Sequence, residues 1–222
     1  MITTAGEGAG RGLRIDGLSA PRAEPDRDGS PPDDRALAQI LETATTVPDH
    51  GGLQPWRFAV VRGAGRDRLG DALVDGLHAL RGTDLPEAAV AKMRGKAFAA
   101  PCSVAVIASP DPSSNVPVWE QVSSASCTGY AIVLAAVALG LGAVWKSAAV
   151  LESEPVRTLF GLTEHEQLLG WVNLGTPGVP ARKARSTERA GLSQLVTVID
   201  TDDHPWPATA PVPPGRRVGG VG

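Results

Sequence analysis

The stretch Pro48-Asp49-His50-Gly51-Gly52-Leu53-Gln54-Pro55-Trp56 is the most informative segment of this 222-residue chain. It places an acid, an imidazole, an amide and an indole around two glycines, which let a backbone approach a ligand closely. An aromatic wall with a few polar groups is typical of small-molecule pockets. The same residues also suit a turn after a helix, with Trp56 entering the core, so the pattern alone leaves both interpretations open.

Hydrophobic periodicity predicts helices alternating with single strands on both sides of this segment. The predicted helices span residues 32–46 (starting at Ser30-Pro31), 66–80, 119–139 and 153–160, and the predicted strands span residues 57–62, 103–108, 143–147, 168–174 and 194–199. The second half of the long helix is apolar all round, which predicts burial on every side. The pattern indicates a layered α+β domain. The last strand could complete a sheet of this chain or of a partner.

Composition excludes several classes of protein. The chain is 42% apolar and 20% charged, so it can form a core, and its formal charge of −3 lacks the basic excess of a nucleic-acid-binding protein. Its two cysteines, Cys102 and Cys127, exclude a disulfide scaffold. Both lie among apolar or small residues and are expected to be buried, unreactive thiols. The histidines have no metal-like spacing, so no metal site is expected.

Targeting signals are also missing from the pattern. The first 20 residues have no apolar signal-peptide region, and the longest apolar run, residues 131–139, is far shorter than the ~20 residues of a membrane span. We therefore expect a soluble, cytoplasmic protein with reduced thiols. Gly and Pro residues cluster at the ends, which predicts a flexible leader at residues 1–12, one domain over residues 13–200 and a Pro/Gly-rich tail at residues 201–222.

Four motifs, in the same order, resemble the signature of the nitroreductase superfamily, and within it the small NAD(P)H-dependent nitroreductases. They are the Pro48–Trp56 segment, Val116-Pro117-x-Trp119-Glu120-Gln121, Gly140-Leu141-Gly142-x-x-Trp145-Lys146-Ser147 and Leu174-Gly175-Thr176-Pro177. The resemblance runs from about residue 19 to residue 177. It implies an α+β sandwich with a central, mostly antiparallel sheet flanked by helices. It also implies an obligate homodimer with FMN bound at the subunit interface.

The resemblance further implies which residues contact FMN. An Arg-Arg-Ser triplet of the subgroup corresponds here to Gly17, Leu18 and Ser19, so both of its arginines are missing. A basic position before the Pro-Asp-His motif is occupied by Thr46, while the histidine of that motif is retained as His50. An FMN phosphate carries nearly two negative charges, for which Arg is the preferred partner. The three losses therefore weaken the expected phosphate site.

Two further groups complete the implied site. The backbone of Trp145, Lys146 and Ser147 is expected to lie along the flavin. Lys183 and Arg185 match a Lys-x-Arg pair that many family members place against the phosphate, and they could replace the missing arginines. A solvated basic linker is the alternative interpretation of these two residues.

The function implied by the resemblance is an FMN-dependent oxidoreductase that passes hydride from NAD(P)H to a nitroaromatic, quinone or similar acceptor. The flavin would carry the chemistry, so no catalytic side chain is obligatory. Two alternatives stay open. One is a non-catalytic or FMN-weakened small-molecule-binding protein, and the other is a flavin-dependent dehydrogenase of a biosynthetic intermediate. Trp119 and Tyr130 either line the pocket or fill the core.

Overall fold

The structure is a computed structural model that describes residues 22–178 together with Leu18 and residues 195–197 and 199. The chain divides into two compact units, one of residues 21–181 and the other of residues 1–20 with residues 182–222. The second unit is described only at Leu18 and at residues 195–197 and 199. The architecture below is therefore that of residues 22–178.

Residues 22–178 form five helices and four strands. The helices are α1 (Asp34–Ala44), α2 (Gly65–Arg81), α3 (Glu87–Arg94), α4 (Val118–Ala138) and α5 (Glu154–Phe160), and the strands are β1 (Trp56–Arg62), β2 (Cys102–Ala108), β3 (Gly142–Lys146) and β4 (Gln167–Gly175). Short 3₁₀ turns cover His50–Gly52 and Gly95–Phe98. Every element predicted between residues 32 and 174 is confirmed to within two residues at each end, whereas α3 was not predicted.

The four strands make one antiparallel sheet in the order β1-β2-β4-β3. Strand β2 lies inside this sheet and is buried along its whole length, which its uncharged sequence allows. Its Val104 and Val106 pack towards α1 and α4, while Ala105 and Ile107 pack towards α2, α3 and α5. The α+β sandwich with helices on both faces of an antiparallel sheet is thereby confirmed.

Three local expectations are wrong. Helix α1 begins after Asp33, because the Asp33 carboxylate accepts the Ala36 N–H at 2.7 Å, and not at Ser30-Pro31. The predicted strand 194–199 is helical at Leu195 and irregular at residues 196, 197 and 199. Leu195 and Ile199 are 68% and 97% exposed in this chain, so neither side chain packs against a sheet of it. Cys127 is exposed rather than buried.

The second half of helix α4 is apolar all round, but this chain covers only one side of the helix. The buried side carries Gln121, Ala125, Thr128, Gly129, Ile132, Val133 and Ala136. On the opposite side Trp119 is 69% exposed and Tyr130 is 48% exposed, so burial on every side is not met within one chain. Length and a mean hydropathy of 1.3 would also allow α4 to span a membrane. Its packing against α1 and the sheet is that of a core helix.

Candidate functional site

The turn that carries His50 is built by its neighbour Asp49. One Asp49 carboxylate oxygen accepts the Leu53 N–H at 3.2 Å, and the other accepts the Gln54 N–H at 2.7 Å. Gly51 and Gly52 have φ values of 79° and 66°, which favour glycine. Asp49 and the glycines are therefore structural residues that hold His50 at an exposed tip.

His50 contacts the start of α4. Its Nδ1 lies 2.8 Å from Oε1 of Glu120 in the first helical turn. The His50 side chain is 66% exposed and that of Glu120 is 33% exposed. His50 therefore does not cap α1, and its ring is accessible to a ligand. Trp56 is buried beside Ala108 and Ala125, as the core interpretation of the Pro48–Trp56 segment expected for this residue.

The residue after Glu120 fixes the position of this contact. The Gln121 side chain is buried, and its Oε1 accepts the Asp111 N–H at 2.8 Å. Its Nε2 donates to the carbonyl oxygens of Asp111 and Val116 at 2.9 and 2.8 Å. These three bonds hold the loop before α4 against the helix. In the Trp-Glu-Gln motif, the glutamine is thus structural and the glutamate reaches His50.

A second group lies where β3 ends. The Trp145 indole fits between Gly129 of α4 and Gly170 of β4. A Cβ at Gly129 would come within 2.7 Å of the indole ring, and a Cβ at Gly170 within 2.8 Å of its Nε1. The side chain of Trp145 therefore points into the core. Only the backbone of Trp145 is left to serve a cofactor, as the family resemblance implies.

Two ammonium groups lie beside this strand end. Lys146 Nζ is 2.7 Å from Oε1 of Glu24, and Lys96 Nζ donates to the Ser147 carbonyl oxygen at 3.3 Å. Ser147 itself is exposed. Sequence reasoning missed Lys96, because it lies in a short turn 50 residues before Lys146 and belongs to no motif. Only the fold brings it to Ser147.

Arg22 connects the N-terminal segment to the exposed side of α4. Its Nη2 donates to the Tyr130 hydroxyl oxygen at 3.0 Å, and its guanidinium carbon lies 5.3 Å from the ring centroid. This geometry suits a cation–π contact. Trp119 and Tyr130 are exposed, so they do not fill the core of this chain.

His50 and Arg22 contact α4 at separate places, through Glu120 and Tyr130. Glu120 and Tyr130 are ten residues apart, which is about 15 Å along the helix axis. Thr46, the third predicted position, is exposed, and its hydroxyl donates to the Thr43 carbonyl oxygen at 2.8 Å. Leu18 is a half-buried helical residue. The remaining predicted contacts, Gly17, Ser19, Lys183 and Arg185, lie outside the described residues.

The buried cysteine and the grouping of possible metal ligands bear on thiol and metal chemistry. Burial raises the pKa of the Cys102 thiol to about 11, so this residue is the unreactive thiol that was expected. Within the part of the chain that the structure describes, no group of three His, Cys, Asp or Glu is placed to hold a metal ion.

Known proteins are similar to this chain in sequence and in fold. The nitroreductase family model matches residues 28–176. A relative from Escherichia coli (strain K12), named "Putative NAD(P)H nitroreductase YdjA", is 40% identical over 170 residues, covering 76% of this chain and 88% of the relative. A nitroreductase-like family protein from Bacillus cereus superposes with a TM-score of 0.66 at 23% identity, over 90% of this chain and 100% of that chain. A nitroreductase from Bacteroides fragilis NCTC 9343, solved with bound FMN, gives 0.56 at 21% identity, over 82% and 95%.

Proposed function

Because this chain belongs to the nitroreductase family, we propose that it is a homodimeric, FMN-dependent oxidoreductase that passes hydride from NAD(P)H to a nitroaromatic, quinone or similar acceptor. The coarser activity, NAD(P)H-dependent flavin oxidoreduction, follows from the family and from the relative that is 40% identical. FMN as the flavin, the acceptor class, the homodimer and a cytoplasmic location belong to the proposal.

The donor set at the end of β3 carries this proposal. Lys96, Lys146 and the Ser147 hydroxyl offer N–H and O–H donors near the end of β3, where Ser147 is exposed. Such donors suit the carbonyl-bearing edge of a flavin ring, so the residues present fit the group. FMN bound here would supply the hydride-transfer chemistry, while the protein supplies position and charge.

The residues of this chain would act by holding that edge in place. Trp145 is held between Gly129 and Gly170, so the backbone that follows it has little freedom to shift. Lys96 holds the Ser147 carbonyl group, and Glu24 holds the Lys146 ammonium group. A preformed set of donors lowers the ordering cost of binding. No side chain among them is asked to transfer a proton.

The homodimer is proposed from the uncovered side of α4. Trp119 and Tyr130 expose aromatic surface there, and Cys127 lies between them on the same side. Exposed apolar patches of this kind mark interaction sites. A second copy of the chain would cover the patch. It would also exclude water from the contacts that His50 and Arg22 make with α4.

A second candidate function follows from the residues at the positions where the family resemblance implies contacts with the FMN phosphate. Gly17, Leu18 and Thr46 carry no charge, and the Thr46 hydroxyl is already bonded to the end of α1. This favours a small-molecule-binding protein with weakened FMN affinity. The oxidoreductase proposal instead assigns the phosphate to Lys183 and Arg185, with Ser19 assisting.

One binding experiment separates these functions. Absorbance in the flavin bands of the purified protein, followed by titration with FMN and riboflavin, tests whether either flavin binds. A Lys183→Ala, Arg185→Ala double variant should lose about 2–4 kcal/mol of FMN affinity through two charge-assisted bonds, and almost no riboflavin affinity. An Arg81→Ala, Lys92→Ala double variant, which removes two exposed helical cations, is the matched control. A wild type that binds no FMN when it is in excess would leave the second candidate.

A further inference from the structure

We infer that Glu120 is a positioning residue of the proposed flavin site, which holds the His50 ring so that its Nε2 accepts a hydrogen bond from a hydroxyl of the flavin's ribityl chain. The observation behind this inference is the 2.8 Å contact between His50 Nδ1 and Glu120 Oε1. The inference rests on the proposed function, because it assigns a ligand group to a residue of the same site.

The chemistry of the contact determines the tautomer. An ionised carboxylate can only accept hydrogen bonds, so His50 Nδ1 must be the donor in this pair. In a neutral imidazole the other nitrogen, Nε2, is then an acceptor. Glu120 thus decides which nitrogen of His50 offers a lone pair to a ligand.

Hydrogen bonds of the neighbouring residues fix both His50 and Glu120 in position. Asp49 closes the turn on the His50 side with two backbone N–H bonds, and Gly51 packs beside Val116. Gln121 anchors the start of α4 on the Glu120 side with three bonds. The ring therefore has a fixed place and a fixed orientation, although 66% of the side chain is exposed. A fixed ring with one accessible nitrogen suits ligand binding.

Stability alone does not account for this arrangement. An exposed contact of this kind contributes about 0–1 kcal/mol to stability, and an acid in the first turn of α4 also favours the helix dipole without any histidine. Both effects predict that flavin affinity is independent of Glu120. The positioning role predicts the opposite, so ligand binding distinguishes them.

The acceptor character of Nε2 also selects the ligand group. Ribityl hydroxyls can donate to Nε2, whereas the oxygens of a phosphate dianion only accept hydrogen bonds. Riboflavin and FMN both carry the ribityl chain, but only FMN carries the phosphate. Loss of the His50 orientation should therefore weaken the two flavins equally.

The test uses the full-length protein with Glu120→Gln, Glu120→Ala and His50→Ala variants. Glu164→Gln is the matched control, because Glu164 forms another exposed pair with a histidine, at 3.1 Å from His165 Nε2. Dissociation constants for FMN and riboflavin are measured by fluorescence quenching. Nitrogen-15 NMR of the histidine rings in flavin-free protein reads the tautomer independently. We expect Glu120→Ala to weaken both flavins about 3–10-fold and to abolish the fixed Nδ1–H tautomer, with Glu164→Gln unchanged.

Each other outcome has a definite meaning. Weakening of FMN without riboflavin would place the phosphate at His50 and overturn the hydroxyl assignment. Unchanged affinities in Glu120→Ala, with wild type binding both flavins, would overturn the inference and leave the proposed function standing. A wild type that binds neither flavin would overturn both. Circular dichroism of each variant shows whether a loss of binding reflects unfolding, and in that case His50→Ala decides the question.

Discussion

Two contacts to a carboxylate are made by residues only seven apart, and they differ in almost every respect. Arg57 of β1 binds Glu166 with both Nε and Nη2, at 2.6 and 2.8 Å, and Glu166 is only 7% exposed. His50 binds Glu120 through a single nitrogen, and both side chains are accessible. The first pair ties a strand to the loop before β4, whereas the second uses only one ring nitrogen of His50 among the described residues.

The difference separates a contact that holds the fold together from one that leaves a side chain available to a ligand. Arg57 also donates to the carbonyl oxygens of Phe160 and Gly161, and Glu166 accepts the Thr163 N–H at 3.0 Å. Most of the donors and acceptors of that pair therefore already have partners within the protein. Among the described residues, the Nε2 of His50 has no hydrogen-bond partner, so this nitrogen stays available to a ligand.

The largest expected effect comes from breaking the buried pair. Arg57→Met should destabilise the fold by about 3 kcal/mol, because it leaves the Glu166 carboxylate buried without its partner. Urea unfolding monitored by tryptophan fluorescence measures the change. An Arg57→Met, Glu166→Leu double variant should recover much of the loss. If the single variant were as stable as His50→Ala, the two pairs would not differ as described.

Acid should affect the same pair. The hydrogen bond from Arg57 lowers the pKa of Glu166 from 4.5 to about 2. A lowered pKa contributes stability above pH 4.5 that is lost as the pH falls towards 2, and a shift of this size corresponds to about 3 kcal/mol. The unfolding free energy of wild type should therefore fall more steeply over this window than that of Glu166→Gln. Parallel pH profiles would show that the pair is not ionised as inferred.

A smaller effect tests the turn that holds His50. Gly52→Ala should cost about 1 kcal/mol, because Gly52 has φ 66° and its Cβ would meet no atom within 4 Å, so that the cost is backbone strain alone. Gly95→Ala is the control, since Gly95 has φ −59° and equal space. It should be neutral or stabilising. Thermal unfolding of both variants gives the comparison, and equal shifts would remove the strain argument.

The smallest effect completes the comparison. Glu120→Ala should change the unfolding free energy by less than about 0.5 kcal/mol, because its contact with His50 is exposed. Chemical denaturation beside Glu164→Ala measures this. A loss approaching that of Arg57→Met would mean that the His50 contact supports the fold and not a ligand.

Periodicity was enough to predict most of the fold, because nearly every element buries one regular face. Helix α3 escaped prediction, since Met93 is the only residue that it buries. The strand at residues 194–199 failed because its apolar residues need a surface that the sequence pattern cannot locate. Whether a strand forms there depends on a partner surface as much as on its own residues.

The candidate site was predictable only where a motif carries it. The resemblance pointed to His50 and to Trp145, Lys146 and Ser147, but it gave no indication of which atoms they expose. The direction of the Trp145 indole depends on glycines that lie 16 residues before it and 25 residues after it. Lys96 reaches Ser147 through the fold, and Glu120 reaches His50 across 70 residues. Such contacts have no local sequence signal.

The Trp145 indole between Gly129 and Gly170 constrains how this sequence can evolve. Alanine at position 129 would suit an isolated helix better than glycine, yet its Cβ would come within 2.7 Å of the ring. The same substitution should become acceptable once position 145 carries a smaller side chain. The sign of one mutation's effect therefore depends on whether another has already occurred. Sequences that diverge from this one can change these positions only in a particular order.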